Sequence, residues 1–161
     1  MDILTDYVVP FLIVLTILVF VHEMGHFLVA RYNNVRVEIF SIGFGAELFG
    51  FNDNRGTRWK FSAIPLGGYV KMFGEGEVIE GEGKDKEREL TDEEKAVSFY
   101  HKRLGQRAAI VFAGPLANFV FAVIVLAGLF FVSGAPKLLA GIGTVQPGSA
   151  AEKSGISAGD K

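Results

Sequence analysis

Two long stretches without charge dominate the chain. Val8 to Val21 reads VVPFLIVLTILVFV, and after a short polar interruption the apolar character resumes through Phe27-Leu28-Val29-Ala30. Taken as one segment this is about 23 residues, roughly 35 Å of helix, enough to cross a hydrocarbon core of about 30 Å. A second segment, Ala108 to Val132, reads AAIVFAGPLANFVFAVIVLAGLFFV and is again uncharged. Each predicts a transmembrane helix. A cleaved signal peptide fits the first less well, because Asp2 and Asp6 precede it without any Lys or Arg and no small-residue cleavage site follows. In the second, Ala113, Gly114 and Ala117 offer a small-residue strip for close helix contact, Pro115 predicts a kink, and the Asn118 amide is expected to hydrogen-bond between helices.

Between these segments the period changes. Val35 to Phe51 alternates apolar residues with glycines, Thr57 to Ala63 alternates at period two, and Asn52-Asp53-Asn54-Arg55-Gly56 separates them, which predicts a β-hairpin. Its Trp59, Phe61 and Ala63 face is apolar, so the hairpin sits either against the helices within the bilayer or as a plain cytoplasmic hairpin. Pro65 is expected to stop the strand, and Gly67-Gly68 to begin a turn into Tyr69-Val70-Lys71-Met72-Phe73. Residues 74–95 form a polyampholyte with few apolar positions, expected to be a mobile linker because it cannot bury enough surface to offset the entropy of ordering. Residues 141–145 predict a strand, followed by a turn at Pro147-Gly148 and a short helix closed by Gly155. A strand and one short helix bury too little to fold alone, so the chain is expected to end inside a domain.

Composition adds exclusions. Of 161 residues 50% are hydrophobic, and Lys plus Arg (16) nearly balance Asp plus Glu (18), leaving a net charge of -2 that gives no reason to expect nucleic acid as a partner. The mean hydropathy of +0.33 is high for a soluble domain and places membrane lipid among the expected partners. Without cysteine there are no disulfides, thiolate metal sites or cysteine nucleophiles, so any metal must be held by His and carboxylate. Basic residues cluster on one flank of each apolar segment, Arg31 and Arg36 after the first and Lys102, Arg103 and Arg107 before the second. The positive-inside rule then makes residues 31–107 cytoplasmic and both termini external.

The polar interruption in the first segment is His22-Glu23-Met24-Gly25-His26, an HExxH pattern. On a helix, i and i+4 share a face about 6 Å apart, so both imidazoles can reach one Zn²⁺, while Glu23 can hold and deprotonate a water. Ionisable side chains at the centre of a membrane helix cost on the order of 2.5–3.5 kcal/mol each, which calls for a compensating partner. Zinc ligation by His22 and His26 is the favoured reading; an ion or proton pathway and plain structural pairing are the others. His101, among Tyr100, Lys102 and Arg103, is expected at the surface near the membrane edge.

The chain resembles the site-2 protease family of intramembrane zinc metalloproteases, in particular its bacterial sigma-E-regulating branch. The resemblance is carried by VHEMGHFLVAR, VRVEIFSIGFG, IPLGGYVKM, GQRAAIVFAGPLANF and, resembling the opening of a PDZ domain, VQPGSAAEKSGISAGD. It implies a multi-pass enzyme of the bacterial inner membrane, with Zn²⁺ as cofactor. The implied substrate is a single-pass protein of the anti-sigma-factor type, cut in or near its membrane span, and the PDZ-like region would lie in the periplasm as a size filter. It implies His22 and His26 as zinc ligands, Glu23 as the catalytic acid/base, and Gly43, Phe44 and Gly45 as part of a membrane-associated edge to which an extended substrate adds as a strand. The third family ligand, an aspartate in a later membrane helix, has no counterpart here, so these residues alone are expected to bind zinc weakly and to be inactive. The expected organisation is a membrane α-helical protein with two transmembrane helices, divided as residues 1–33 (first helix), 34–73 (hairpin), 74–95 (linker), 96–107 (juxtamembrane), 108–132 (second helix) and 133–161 (incomplete PDZ-like domain). A non-catalytic membrane scaffold and a metal or proton transporter are the competing functions. The transporter would call for further ionisable residues along a path, and the second segment has none.

Overall fold

The computed structural model describes residues 2–75, 90–134 and 141–160. The expected mobile linker lies mostly outside these residues. The chain divides into two compact units, Met1–Ile124 and Val125–Lys161.

Both apolar segments are helices. A π-helical turn at Leu4–Val8 leads into α1 (Val9–Tyr32), and Pro10, which has no N–H to give the preceding turn, stands just after the change from the wider turn to the α-helix. Together they make 29 residues long and apolar enough to cross a membrane. Between the hairpin and the second long helix lies the short α2 (Asp92–Val97), followed by α3 (Leu104–Ser133) with 30 residues. α3 starts four residues before the uncharged run, because Leu104-Gly105-Gln106-Arg107 continues the helix into polar sequence.

The sheet is more curled than a flat hairpin. β1 (Val37–Asn52) pairs antiparallel with β2 (Arg58–Met72) around the expected turn, where the Gly56 N–H donates to the Asp53 carbonyl at 3.0 Å. Contrary to expectation, Pro65 does not end the strand and Gly67-Gly68 is no turn: β2 runs through both. The physical reason is in the register. Ile64 pairs with Phe44 and Gly68 with Ile42, while residues 65–67 have no strand partner among the described residues, so the proline interrupts no ladder bond there. The curl gives the segment Ile39–Ile42 two neighbours, Gly68–Lys71 on one side and Arg58–Phe61 on the other.

The curled base of the sheet closes on α1 and α3. Phe27, Ala30, Val35, Val37, Phe40, Met72 and Ile110 are the buried core. Phe40 stacks on Trp59 at 4.4 Å and meets Phe27 edge-on at 5.4 Å, arrangements that aromatic quadrupoles favour. The distal part of the hairpin is different, with Phe44, Leu48, Phe49, Phe61, Ile64 and Leu66 all exposed. Trp59 therefore packs into the core while Phe61, on the same face by sequence, does not.

Two polar ties hold this arrangement. Arg31, in the last turn of α1, pairs with Asp53 and donates to the Thr57 hydroxyl at 2.9 Å, and that hydroxyl donates to the Val37 carbonyl at 2.8 Å. Beyond β2, the Phe99 N–H donates to the Phe73 carbonyl and the Arg36 N–H to the Val97 carbonyl, seating the segment before α3 beside the sheet.

Part of the expected linker is ordered. Gly74 and Glu75 follow β2, and α2 is capped by Thr91: its hydroxyl accepts the Glu94 N–H at 3.3 Å while the Glu94 carboxylate accepts the Thr91 N–H at 2.9 Å. This Thr-x-x-Glu box is a helix start that the charge-based linker reading overlooked.

In the second unit, residues 141–145 form no strand, correcting that expectation. Ile142 instead exchanges single backbone hydrogen bonds with Asp160 and Gly159, at 2.9 and 2.8 Å. The short helix is present as α4 (Ala150–Lys153), capped by Ser149 and followed by Gly155 at φ +80°.

Candidate active site

His22, Glu23 and His26 sit where α1 passes both α3 and β2. The two imidazoles, one turn apart, have centroids 4.9 Å apart and planes at 78°. α3 faces them with Ile110, Gly114 and Asn118, spaced four residues apart on one stripe. The contact depends on small residues. A Cβ on Gly25 would run into the Ala113 carbonyl and come within 2.8 Å of the Ala117 side chain. A Cβ on Gly114 would collide with His26 Nε2 and stand 2.7 Å from His22 Nε2. The expected small-residue strip is thus the surface on which the two helices meet.

That geometry fixes which nitrogens are available. The His26 Nδ1–H donates to the Ile110 carbonyl at 2.7 Å, leaving the Nε2 lone pair free. Both Nε2 atoms face the same point beside Gly114. His22 Nδ1 lies 3.3 Å from Asn118 Nδ2, and the Asn118 Oδ1 is buried with no partner among the described residues. A pair of imidazole Nε2 atoms converging on one position supplies two of the ligands that a zinc site takes. Among the described residues no group of three or more His, Asp or Glu side chains has metal-holding geometry.

Glu23 faces the sheet. With His26 it lines a cavity of about 220 Å³ whose other walls include Tyr69, Val70, Glu75 and Ile110. Gly68 lets β2 come this close: a Cβ there would stand 3.0 Å from Val19 and 3.3 Å from Glu23 Cγ. Glu75, which accepts the Met72 N–H at 3.2 Å, and Tyr69 are cavity residues that the sequence reading did not single out, since nothing in their spacing ties them to the helix.

Gly43, Phe44 and Gly45 lie apart from the imidazole pair, at a bend in β1. Gly43 and Gly45 take φ of +87° and +84°, and the Ser41 hydroxyl donates to the Gly43 carbonyl at 2.9 Å. The Phe44 ring stacks over Tyr69 at 6.2 Å, which connects the bend to the cavity wall. His101 is exposed, bonded to the Ser98 hydroxyl at 3.1 Å, and takes no part in the site.

The HExxH helix, the glycine-lined second helix and the intervening sheet thus bring two imidazoles and a carboxylate together between two membrane-length helices. The chain belongs to peptidase family M50, the site-2 protease family, whose profile matches residues 10–158. Among curated proteins it is 48% identical over 158 residues to Atu1380 of Agrobacterium fabrum, covering 98% of this chain and 42% of that one. It is 50% identical over 154 residues to mll0638 of Mesorhizobium japonicum, covering 95% and 42%. Both are named as zinc metalloproteases. It is also 45% identical over 149 residues to protease RseP of Yersinia pestis, covering 92% of this chain and 31% of that protein. The chain therefore spans about two fifths of the length of the relatives it matches.

Proposed function

We propose that the whole protein is a zinc endopeptidase of the bacterial inner membrane that cuts a single-pass substrate of the anti-sigma-factor type within or near its membrane span. The observation that carries this reading is the turn of both Nε2 atoms, from His22 and His26, toward one point beside Gly114, with Glu23 on the adjoining cavity wall. Family membership and the zinc metalloprotease names of the relatives support it.

His22 and His26 would hold the metal, each through Nε2. Zinc bound there would polarise a peptide carbonyl and make a water more acidic. Glu23 takes the proton of the attacking water at its carboxylate and returns it to the leaving amine. Its carboxylate shares the cavity wall with Val70 and Tyr69 of β2. The sheet beside the cavity receives the substrate as an extended strand, with the Gly43–Gly45 bend and Phe44 shaping that edge; a helical span must be unwound before its carbonyls are accessible. A third metal ligand comes from residues of the parent protein outside this chain, so these 161 residues alone bind zinc weakly and do not cleave. Residues 31–107 face the cytoplasm, and residues 141–160 open a periplasmic PDZ-like domain.

The test is cleavage of a single-span reporter by the full-length protein in lipid vesicles. Glu23→Gln should lower the rate by about 10²–10⁴. Cleavage at the wild-type rate in that variant would reject the reading.

A further inference from the structure

Asn118 is set against the ring of His22, on the side away from Gly114, and one of its two polar atoms has no partner. Its Nδ2 lies 3.3 Å from His22 Nδ1, while Oδ1 is buried and unbonded. The two ends of an asparagine amide exchange places by a half-turn about the last side-chain bond. With His22 Nε2 turned toward the Gly114 point, a neutral imidazole that keeps this nitrogen's lone pair free carries its hydrogen on Nδ1. An amide N–H opposite that hydrogen is a donor facing a donor. A half-turn of the amide puts Oδ1 there instead and gives the unbonded oxygen its partner.

His26 shows the same arrangement already made, its Nδ1–H donating to the Ile110 carbonyl at 2.7 Å. Ile110 and Asn118 lie four residues before and four after Gly114, so one stripe of α3 places a polar group behind each imidazole and a gap in front of both. A backbone carbonyl serves His26. At His22 the group standing in the corresponding place is the Asn118 side-chain amide.

We propose that Asn118 is a positioning residue for the metal site: its side-chain carbonyl accepts the His22 Nδ1–H, holding the ring in the tautomer that presents Nε2. This rests on the reading of His22 and His26 as zinc ligands. Asp keeps an acceptor at this place and discards the donor, Leu keeps the bulk and discards both, and neither reaches the Nε2 side of the ring.

The experiment is chelator competition for zinc on the full-length, detergent-purified protein, comparing wild type, His22→Ala, Asn118→Leu and Asn118→Asp. It is paired with ¹⁵N spectra of the wild-type histidines. Asn118→Leu should weaken zinc binding by about 10–100-fold, the usual effect of losing a group that orients a ligand. Asn118→Asp should restore affinity to within a few-fold of wild type, and the His22 spectrum should show a protonated Nδ1 with metal on Nε2. Wild-type affinity in Asn118→Leu, equal loss in Leu and Asp, or metal on His22 Nδ1 would overturn the proposal. If Asn118→Leu does not fold, the Asp variant and the wild-type spectrum decide. A wild type without zinc, or one whose zinc survives His22→Ala, would instead reject the underlying ligand assignment.

Discussion

Asp53 is the residue that secures the hairpin turn to the end of α1. It accepts the Arg55 N–H at 2.8 Å, the Thr57 N–H at 3.1 Å and the Trp59 indole N–H at 3.1 Å, and pairs with Arg31, whose guanidinium also lies over the Phe27 ring at 4.3 Å. Partial burial alone would raise its pKa, but the bonds from Trp59, Arg55, Thr57 and Arg31 outweigh it and bring the value from 3.8 to about 2. A carboxylate whose folded pKa is depressed stabilises the fold above its unfolded pKa and loses that contribution as pH falls through the folded one. The window here lies between pH 3.8 and about 2. Thermal unfolding in detergent should show part of its midpoint lost across that window, and Asp53→Asn should flatten that slope. Asp53→Ala, which strands several donors at once, should cost about 2 kcal/mol at neutral pH. Of such residue-level features, HExxH was legible because its chemistry is local to one helical turn. The Asn118–His22 contact was not, since the residues are 96 positions apart and only the helix crossing brings them together.

Helix crossing and sheet curl decide where the site forms. Gly25 and Gly114 set the approach of α1 to α3, and Gly68 sets that of β2 to α1. Gly25→Leu would press four carbons against the Ala113 backbone, where nothing flexible can yield. Its expected result is a folded helical protein with the α1–α3 contact opened and reporter cleavage reduced at least about tenfold, equivalent to about 1.4 kcal/mol in the barrier; cleavage at wild-type rate would show that the close approach is unnecessary. Both long helices, the hairpin turn and the small-residue contact were readable from periodicity and composition. Two features were misread for identifiable reasons. Pro65 and Gly67-Gly68 look like strand breakers, yet Pro65 and Gly67 fall where β2 has no strand partner among the described residues and Gly68 pairs with Ile42, a register property invisible in a single strand. The charge density of residues 74–95 obscured the Thr91–Glu94 capping box that starts α2.

Across the whole molecule, apolar surface is distributed as a membrane would require. α3 exposes Phe112, Leu116, Phe119, Val120, Val123 and Ile124, and the distal hairpin exposes Phe44, Leu48, Phe49 and Leu66. Such surface is costly in water and is satisfied by lipid. The orientation inferred from Arg31, Arg36, Lys102, Arg103 and Arg107 can be checked by thiol labelling, since these 161 residues contain no cysteine. An Arg55→Cys variant at the exposed hairpin turn should react with a membrane-impermeant maleimide in inverted vesicles and not in intact cells stripped of their outer membrane. The reverse pattern would turn the topology over.

The most direct test of the account is the zinc content, by elemental analysis, of the full-length purified protein beside its His22→Ala and His26→Ala variants. One zinc per chain in the wild type, lost from both variants while they remain folded, is the predicted result. Zinc retained at full stoichiometry in either variant, or none in a wild type that still cleaves its substrate, would contradict the assignment of this helix pair as a metallopeptidase centre.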